Sequence, residues 1–485
     1  MPGSATEAAR RFSPYAPVGA VVRRPTPTLP PSAGLREALE CLDRDAVDAV
    51  AVVDPASGEP LGILTLRDVI KRVTLAGSGL DLPVAAVMTG GVIRLPASAT
   101  VHQASMQMIR RNVGHLVLVG NDGRFVAIVA QRDLYASPGA GGGELVGAIT
   151  AARDVPSLAA VAARVREFSA RLLNEGVGAE ALCQQISGLN DLIGLQAIDL
   201  VSARHELPYV PWCWLVFGSE GRLEQTLATD QDNGLVFAAA DRAEADALRA
   251  VFLPFARDVN AALDACGFPL CRGNIMAGNP DLCLSLAEWQ EKFGSWLRVA
   301  EPQAVLNATI FFDLRPLFGD DRLAVKLQEW LLARTPEAGG FLRAMAEGAL
   351  NWQSPLGWLS RFRYDDNPDF PHTIDLKLHG VRPFVDGARL WSLARGVAAT
   401  NTGERLRAVG PLLNQRPEDT AAFLGALDQV QRLRFANQLR AESPAAANRV
   451  DPDRLNALDR QILKEAFRQA KRLQQFLEVE FLRVS

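Results

Sequence analysis

The chain has 485 residues, 48% hydrophobic and 22% charged, with a formal net charge of −4. That length exceeds what one hydrophobic core organises and predicts about three domains. The composition is an ordinary globular mixture, the slightly acidic charge argues against a nucleic-acid-coating chain while leaving room for a local basic groove, and no run of about 18 apolar residues is present to span a membrane.

The opening stretch, residues 1–20 (MPGSATEAARRFSPYAP and the three residues after it), lacks the apolar segment of a secretory signal and reads as a loose leader. The six cysteines (Cys41, Cys183, Cys213, Cys266, Cys271, Cys283) form no CxxC pair and no cluster with histidine. They read as small buried hydrophobes in a reducing compartment, so the expected location is cytoplasmic.

Residues 21–137 repeat themselves. Each copy has a Pro-marked short strand, a helix whose apolar positions recur at helical spacing (Leu35, Ala38, Leu39, Leu42; Val101, Met106, Ile109), a continuous apolar strand (AVAVVD; HLVLVG), a Gly turn, a second strand (LGILT; FVAIVA) and a short helix opening Arg-Asp. Two β-α-β-β-α units side by side bury what neither buries alone. These residues resemble tandem CBS modules, the paired unit that senses adenine nucleotides. The segment Gly62-Ile63-Leu64-Thr65-Leu66-Arg67-Asp68 carries the likeness. The resemblance implies that Thr65 and Asp68 contact the phosphate and ribose of AMP, ADP or ATP. Thr65 can cap the following helix beside free N–H groups that favour an anion. The second copy keeps Asp133 but has Ala130 where the Thr is expected, so a purely structural pair stays open alongside a nucleotide sensor.

Residues 138–154 begin with a Gly-rich run (Pro138 to Gly143) without the Lys-Ser/Thr ending of a phosphate loop, and read as a linker. Residues 155–207 read as a connector of two amphipathic helices.

The chemistry concentrates after it. Trp212 to Phe217 is a buried strand ending in Gly218-Ser219; about ten turn and helix residues follow; Asp230-Gln231-Asp232 then opens a second apolar strand. Carboxylates two apart at a strand start project from one face. Two hard anionic ligands on one face suit Mg²⁺ (or Mn²⁺), completed by substrate phosphate oxygens. Gly218 permits close backbone approach to a triphosphate, and Ser219 offers a hydroxyl and N–H groups to phosphate. A third carboxylate is normally needed for the metal that activates the acceptor. Asp313, expected to end an apolar strand over residues 307–312, is the candidate, with an Arg315-paired or helix-capping aspartate as the structural reading. Arg222 and Glu224 either clamp phosphate or brace their loop against each other. Asn233 is placed to order the turn at the aspartates. Gly273, Asn274 and Asn279-Pro280 read as a tight turn over the site.

The pattern resembles the DNA-polymerase-β-like nucleotidyltransferases. The wording Gly218-Ser219-Glu220-Gly221-Arg222-Leu223-Glu224…Thr229-Asp230-Gln231-Asp232 is similar to the protein uridylyl- and adenylyltransferases of nitrogen signalling. With Cys271 to Pro280, Phe312-Asp313-Leu314-Arg315 and Asn401 to Leu406, the chain resembles a bacterial CBS-linked nucleotidyltransferase family over about residues 20–480. Many of its members also carry a cyclic-nucleotide-binding domain before the CBS modules, which is not expected in this sequence.

Residues 321–485 contain six amphipathic helical segments, a bundle expected to cover the cleft as a substrate-binding domain. Residues 372–380 break that pattern with alternation, and Lys377 and Arg389 could reach a triphosphate, although ion pairs would explain both.

The expected class is thus α/β and α+β multidomain: a tandem CBS pair, a polymerase-β-like mixed sheet over residues 208–320, and a C-terminal helical bundle. The expected activity is transfer of a nucleoside monophosphate from an NTP to a protein or small-molecule hydroxyl. Asp230, Asp232 and Asp313 are the expected metal ligands, Gly218, Ser219, Arg222 and Lys377 the phosphate contacts, and homodimerisation through the CBS modules the expected assembly. A catalytically silent nucleotide sensor is the alternative. A nucleic-acid substrate would need a basic groove, against which the net charge and scattered arginines argue.

Overall fold

A computed structural model describes residues 17–22, 26–75, 79–99, 101–110, 113–120, 122–134, 142–352, 354–357 and 361–482. The chain divides into two compact units, Met1–Glu144 and Leu145–Ser485.

In the first unit, strands β1 (Thr28–Leu29), β2 (Ala49–Val53), β3 (Pro60–Thr65) and β4 (Thr89–Gly90) form one sheet in that order, with β1 parallel to β2 and the rest antiparallel. A second sheet, β5 (Arg94–Pro96), β6 (His115–Val119) and β7 (Phe125–Ala130), repeats the parallel-then-antiparallel pattern. Strand β2 is apolar on both faces because both are covered. Val50 and Val52 join Leu35, Ala38 and Leu42 in one core, while Ala49 and Ala51 meet Ile63 and Ile128 in another that spans the two modules. The backbone bond from Phe125 N to Gly58 O (2.9 Å) ties the repeats together.

Two sequence boundaries move. Of the expected leader, residues 1–16 lie outside the described residues, but Val18 and Val21 are buried in the second module's core, and Val18 N donates to Ala99 O at 2.7 Å. In the expected linker, residues 138–141 are likewise outside the described residues, and Gly142–Ala151 is helical, with Leu145, Val146 and Ile149 buried.

The second unit is built on a four-stranded mixed sheet of β8 (Trp212–Val216), β9 (Asn233–Phe237), β10 (Cys283–Ser285) and β11 (Arg315–Gly319), in the order β10-β9-β8-β11. β9 is parallel to β10 and antiparallel to β8, and β11 is antiparallel to β8. The helices Val155–Asn174 and Ala179–Ser202 precede it; the first starts on a reciprocal Asp154–Ser157 capping box. The run at 307–312, expected as a strand, lies almost wholly in the helix Pro302–Phe311. Pro302 fits the first helical turn, and Ala304, Val305, Ala308 and Phe311 are buried at helical spacing. Phe311 packs edge-on against Phe217 with centroids 4.9 Å apart.

The C-terminal segments fold as helices Asp321–Leu332, Gly339–Leu350, Arg382–Ala394, Thr402–Leu412, Pro417–Arg440 and Ala457–Phe481. Residues 372–380 supply only the two-residue strand β12 (Ile374–Asp375), paired with β13 (Arg449–Val450), before a helical turn Lys377–Val381. One continuous core runs from Leu215, Trp289 and Phe312 to Trp391, Phe423 and Phe467, so the sheet and the helical region form a single body. No helix among the described residues is long and apolar enough to cross a membrane.

Candidate functional site

The register of β8 on β9 pairs Val216 with Asn233, and Phe217 N donates to Asp232 O at 2.9 Å. The chain leaving β8 therefore meets the chain entering β9, which sets Gly218 against Asp232. Gly218 has φ +56°, and a Cβ there would stand 3.0 Å from Asp232 Oδ2. Here the glycine supplies both a left-handed backbone and the space the carboxylate occupies.

Alternation holds through the motif. Gln231 is buried and donates Nε2 to Asn260 O (3.0 Å) and Phe268 O (2.8 Å). Asp230 and Asp232 flank it and both line a cleft of about 460 Å³. Asp230 is exposed and Asp232 half-buried. Burial, reinforced by the Asp230 charge, pushes the Asp232 carboxyl up to about 7, against lowering contributions from Cys271, Lys377 and Arg222. A carboxylate destabilised by burial and by its neighbour's charge, with a glycine clearing space beside it, suits a divalent cation. Among the described residues no group of three or more His, Cys, Asp or Glu gathers to hold a metal, so substrate oxygens and water would complete such a site.

The other predicted residues divide. Gly218, Ser219, Arg222 and Lys377 line the same cleft. Asn233 Oδ1 accepts from Ala277 N (2.8 Å) and Asn260 Nδ2 (2.9 Å), tying the motif to the 271–278 turn. That turn brings Cys271, Gly273 and Ile275 to the cleft wall. Cys271 Sγ donates to Asp232 Oδ1 at 3.4 Å. The Cys271-to-Pro280 stretch is a visible signal in the sequence, but nothing in its spacing marks the thiol as more than a small hydrophobe.

Asp313 is placed differently from its expected role. It is completely buried, and three guanidiniums occupy its two oxygens. Arg222 Nη1 donates to Oδ2 at 2.6 Å, Arg405 Nη1 to Oδ1 at 2.6 Å, Arg389 Nη2 to Oδ2 at 2.7 Å, and Arg389 Nε to both at 3.1 Å. Burial alone would raise its pKa, but the three cations outweigh it and hold the carboxyl well below the usual carboxylate range. A metal ion reaching Asp313 would have to displace buried arginines. Arg315, the partner foreseen for Asp313, binds Asp191 Oδ1 instead, at 2.5 Å.

Arg222 and Glu224 do brace each other, Nε to Oε2 at 2.7 Å, and both line the cleft. Thr402 N (2.6 Å) and Asn401 Nδ2 (3.2 Å) donate to Glu224 Oε1, while Thr400 Oγ1 donates to Gly221 O at 2.9 Å. The Gly221–Glu224 loop is thus held by the segment leading into the helix Thr402–Leu412. The helical region adds Arg382, Arg389, Gln431 and Arg434 to the lining of the cleft that holds the aspartate pair. Of these only Arg389 stood out in the sequence; helical periodicity alone could not show which face of a bundle meets the cleft.

In the first unit, Thr65 Oγ1 donates to Asp68 Oδ2 at 2.6 Å, and Asp68 N donates back to Thr65 Oγ1 at 3.3 Å in a capping box. Thr89 Oγ1 donates to Asp68 Oδ1 at 2.9 Å. In the second module Asp133 accepts from Ala130 N at 2.8 Å, so the acid's half of the box survives without the hydroxyl.

Family comparisons fit this architecture. Residues 163–303 match the model described as "Putative nucleotidyltransferase DUF294", residues 339–481 match "Putative nucleotidyltransferase substrate binding domain", and residues 18–74 and 84–137 match "CBS domain". The chain belongs to the CBS-linked putative nucleotidyltransferase family. Within this family assignment the helices expected as a connector fall largely inside the transferase model, which begins at residue 163. A curated relative from Methanopyrus kandleri, named only as an uncharacterized protein, is 28% identical over 118 residues, 24% of this chain. The chain spans 60% of that relative's length. Among solved structures, the chain is similar to a CBS domain protein from Pyrobaculum aerophilum complexed with AMP: 25% identity, 25% of this chain, 92% of that chain, TM-score 0.24. It is also similar to a CBS-domain-containing protein from Agrobacterium tumefaciens: 30% identity, 24% of this chain, 89% of that chain, TM-score 0.22.

Proposed function

We propose that the protein transfers a nucleoside monophosphate from an NTP to a hydroxyl on a protein or small molecule, releasing pyrophosphate. The reading rests on one observation above the rest. The register of β8 on β9 brings Gly218, Ser219, Asp230 and Asp232 to a single cleft whose lining also carries cationic side chains. Asp230 and Asp232 would hold Mg²⁺, which when bound neutralises phosphate charge and makes the α-phosphorus more electrophilic. Gly218 keeps the backbone clear of Asp232. Arg222, held by Glu224, and Lys377 would contact phosphate oxygens, with charge-assisted bonds aligning the tail for in-line displacement. Asp313 acts here by anchoring Arg222, Arg389 and Arg405 rather than as a metal ligand. In the CBS pair, Thr65 and Asp68 would bind an adenine nucleotide, and its differential affinity for two states of the protein would bias the cleft.

The locked Asp313 favours a second reading, because among the described residues no third carboxylate joins the aspartate pair as a metal ligand. The protein would then bind nucleotide and signal without turning it over. One experiment separates the two. The full chain is incubated with Mg²⁺, each labelled NTP and host-cell lysate as the source of acceptors, beside Asp230→Asn and Asp232→Asn variants. Transfer predicts pyrophosphate release and a labelled acceptor, both lost in the variants. Wild-type protein that binds Mg·NTP but releases no pyrophosphate with any acceptor overturns transfer in favour of sensing.

A further inference from the structure

Arg434, on the helix Pro417–Arg440, is 5% exposed and lines the cleft that holds Asp230 and Asp232. Its guanidinium donates only to neutral side-chain oxygens: Nη1 to Gln431 Oε1 at 2.6 Å, and Nε and Nη2 to Asn448 Oδ1 at 3.1 and 2.9 Å. The other buried arginines differ. Arg315 pairs with Asp191, and Arg389 and Arg405 pair with Asp313. Among the described residues, Arg434 has no carboxylate within ion-pair distance. The acids that influence it, Glu224 and Asp375, have other partners. Glu224 accepts from Arg222, Asn401 and Thr402, and Asp375 Oδ1 accepts from the N–H groups of Lys377 and Leu378.

A buried guanidinium without a counter-charge is costly unless the site receives one. Burial pulls its pKa down to about 10, as a cation lacking compensation requires. Its surroundings hold it in place nonetheless. Gln438, one turn along the helix, donates to Thr226 Oγ1 (3.1 Å) and Asn448 Oδ1 (3.1 Å) and accepts from Leu227 N (3.2 Å), fixing the helix to the loop that leads to Asp230. The result is a planar fork, set by neutral amides, at the wall of a cleft with a carboxylate pair elsewhere on its lining. That is the charge pattern complementary to a polyphosphate whose far end is bound by metal.

The geometry points to Arg434, positioned by Gln431 and Asn448, as the cleft's receptor for the terminal phosphates of the nucleotide and for pyrophosphate. This assignment rests on the nucleotide-binding reading above and adds the residue that would distinguish a triphosphate from a monophosphate.

The test is calorimetric titration of the full chain, in Mg²⁺, with ATP, inorganic pyrophosphate and AMP, counting as cleft binding only what the Asp230→Asn and Asp232→Asn variants lose, because the CBS pair is proposed to take adenine nucleotides as well. Arg434→Met is expected to weaken ATP and pyrophosphate binding tenfold or more and to change AMP binding less than twofold. Arg434→Lys keeps the charge but not the fork, and should lose affinity for pyrophosphate to an intermediate degree, which preserves the test if the Met variant does not fold. Folded variants that bind pyrophosphate as tightly as wild type overturn the assignment, and so does an equal loss for AMP, which would mark a structural role. If wild type binds ATP but Arg434→Met leaves that binding unchanged, only this assignment falls. If wild type binds neither ATP nor pyrophosphate, the nucleotide reading falls with it.

Discussion

Arg405 donates to Asp313 at 2.6 Å across 92 positions of sequence, linking the first turn of the helix Thr402–Leu412 to a carboxylate two residues before β11. With Arg222 and Arg389 on the same carboxylate, a single buried anion joins the sheet to the helical region. Removing one member of a buried ion network strands the others and typically costs about 3–5 kcal/mol. Asp313→Asn should therefore lower the melting temperature sharply, while the Mg²⁺ affinity of the protein that remains folded stays near wild type. Thermal melts paired with metal titration check this. A loss of Mg²⁺ affinity at unchanged melting temperature would return Asp313 to the role of metal ligand.

Gly218 offers a contrast with Gly221. At Gly218 a Cβ would crowd the Asp232 carboxylate at 3.0 Å in a left-handed backbone. Gly218→Ala should fold with a cost of about 1–2 kcal/mol and weaken Mg²⁺ binding by displacing Asp232. At Gly221 a Cβ would fall 1.7 Å from the Asp313 carbonyl oxygen, which no small shift relieves. Gly221→Ala should yield little folded protein. Circular dichroism and metal titration of both variants distinguish the two glycines; a Gly218→Ala protein with wild-type Mg²⁺ affinity would show that Asp232 does not need that space.

What the sequence revealed follows from the range of the interactions. The repeat at 21–137, the Gly-Ser turn and the Asp-x-Asp strand are local patterns, and their geometry follows from strand alternation and the β8–β9 register. Residues 307–312 resemble a strand in sequence because a short apolar run has no decisive period: the buried positions 304, 305, 308 and 311 are visible as a helix face only in a longer window. The Asp313 hub and the docking of Arg434's helix at the cleft depend on contacts across 76 to 212 residues, such as Arg389 to Asp313 and Gln438 to Thr226. No local spacing encodes these. The arginines of an amphipathic helix look alike until the facing element is known.

Thr65 and Asp68 give a prediction for the first unit. Their reciprocal capping bonds serve the fold before any ligand arrives. Thr65→Ala removes the hydroxyl that both donates to Asp68 and accepts from its N–H, at a cost of about 1 kcal/mol. It should also weaken AMP binding to the full chain by about tenfold, one hydrogen bond to a charged group being worth about 1.5 kcal/mol or more. Titration with AMP checks the second effect. AMP affinity unchanged in a folded Thr65→Ala protein would leave Thr65 as a structural cap alone.

Glu220, in the turn Gly218–Gly221, gives the pH prediction. Burial, with the Asp191 charge adding and Arg315 opposing, pushes its carboxyl from 4.5 up to about 8. Between those values the unfolded chain releases a proton that the folded protein keeps, so the unfolded state binds fewer protons and stability falls as pH rises. Below pH 4.5 both states are protonated and the effect vanishes; above about 8 the full cost is present. Glu220→Gln is neutral throughout. Its melting temperature should exceed that of wild type by roughly 2–4 °C at pH 8.5, and the gap should close toward pH 5. Asp191, also raised by burial, remains in the variant, so the slope should flatten rather than disappear. Melting curves of both proteins from pH 5 to 8.5 decide it: parallel curves would mean that Glu220 ionises in the folded protein at its ordinary pKa.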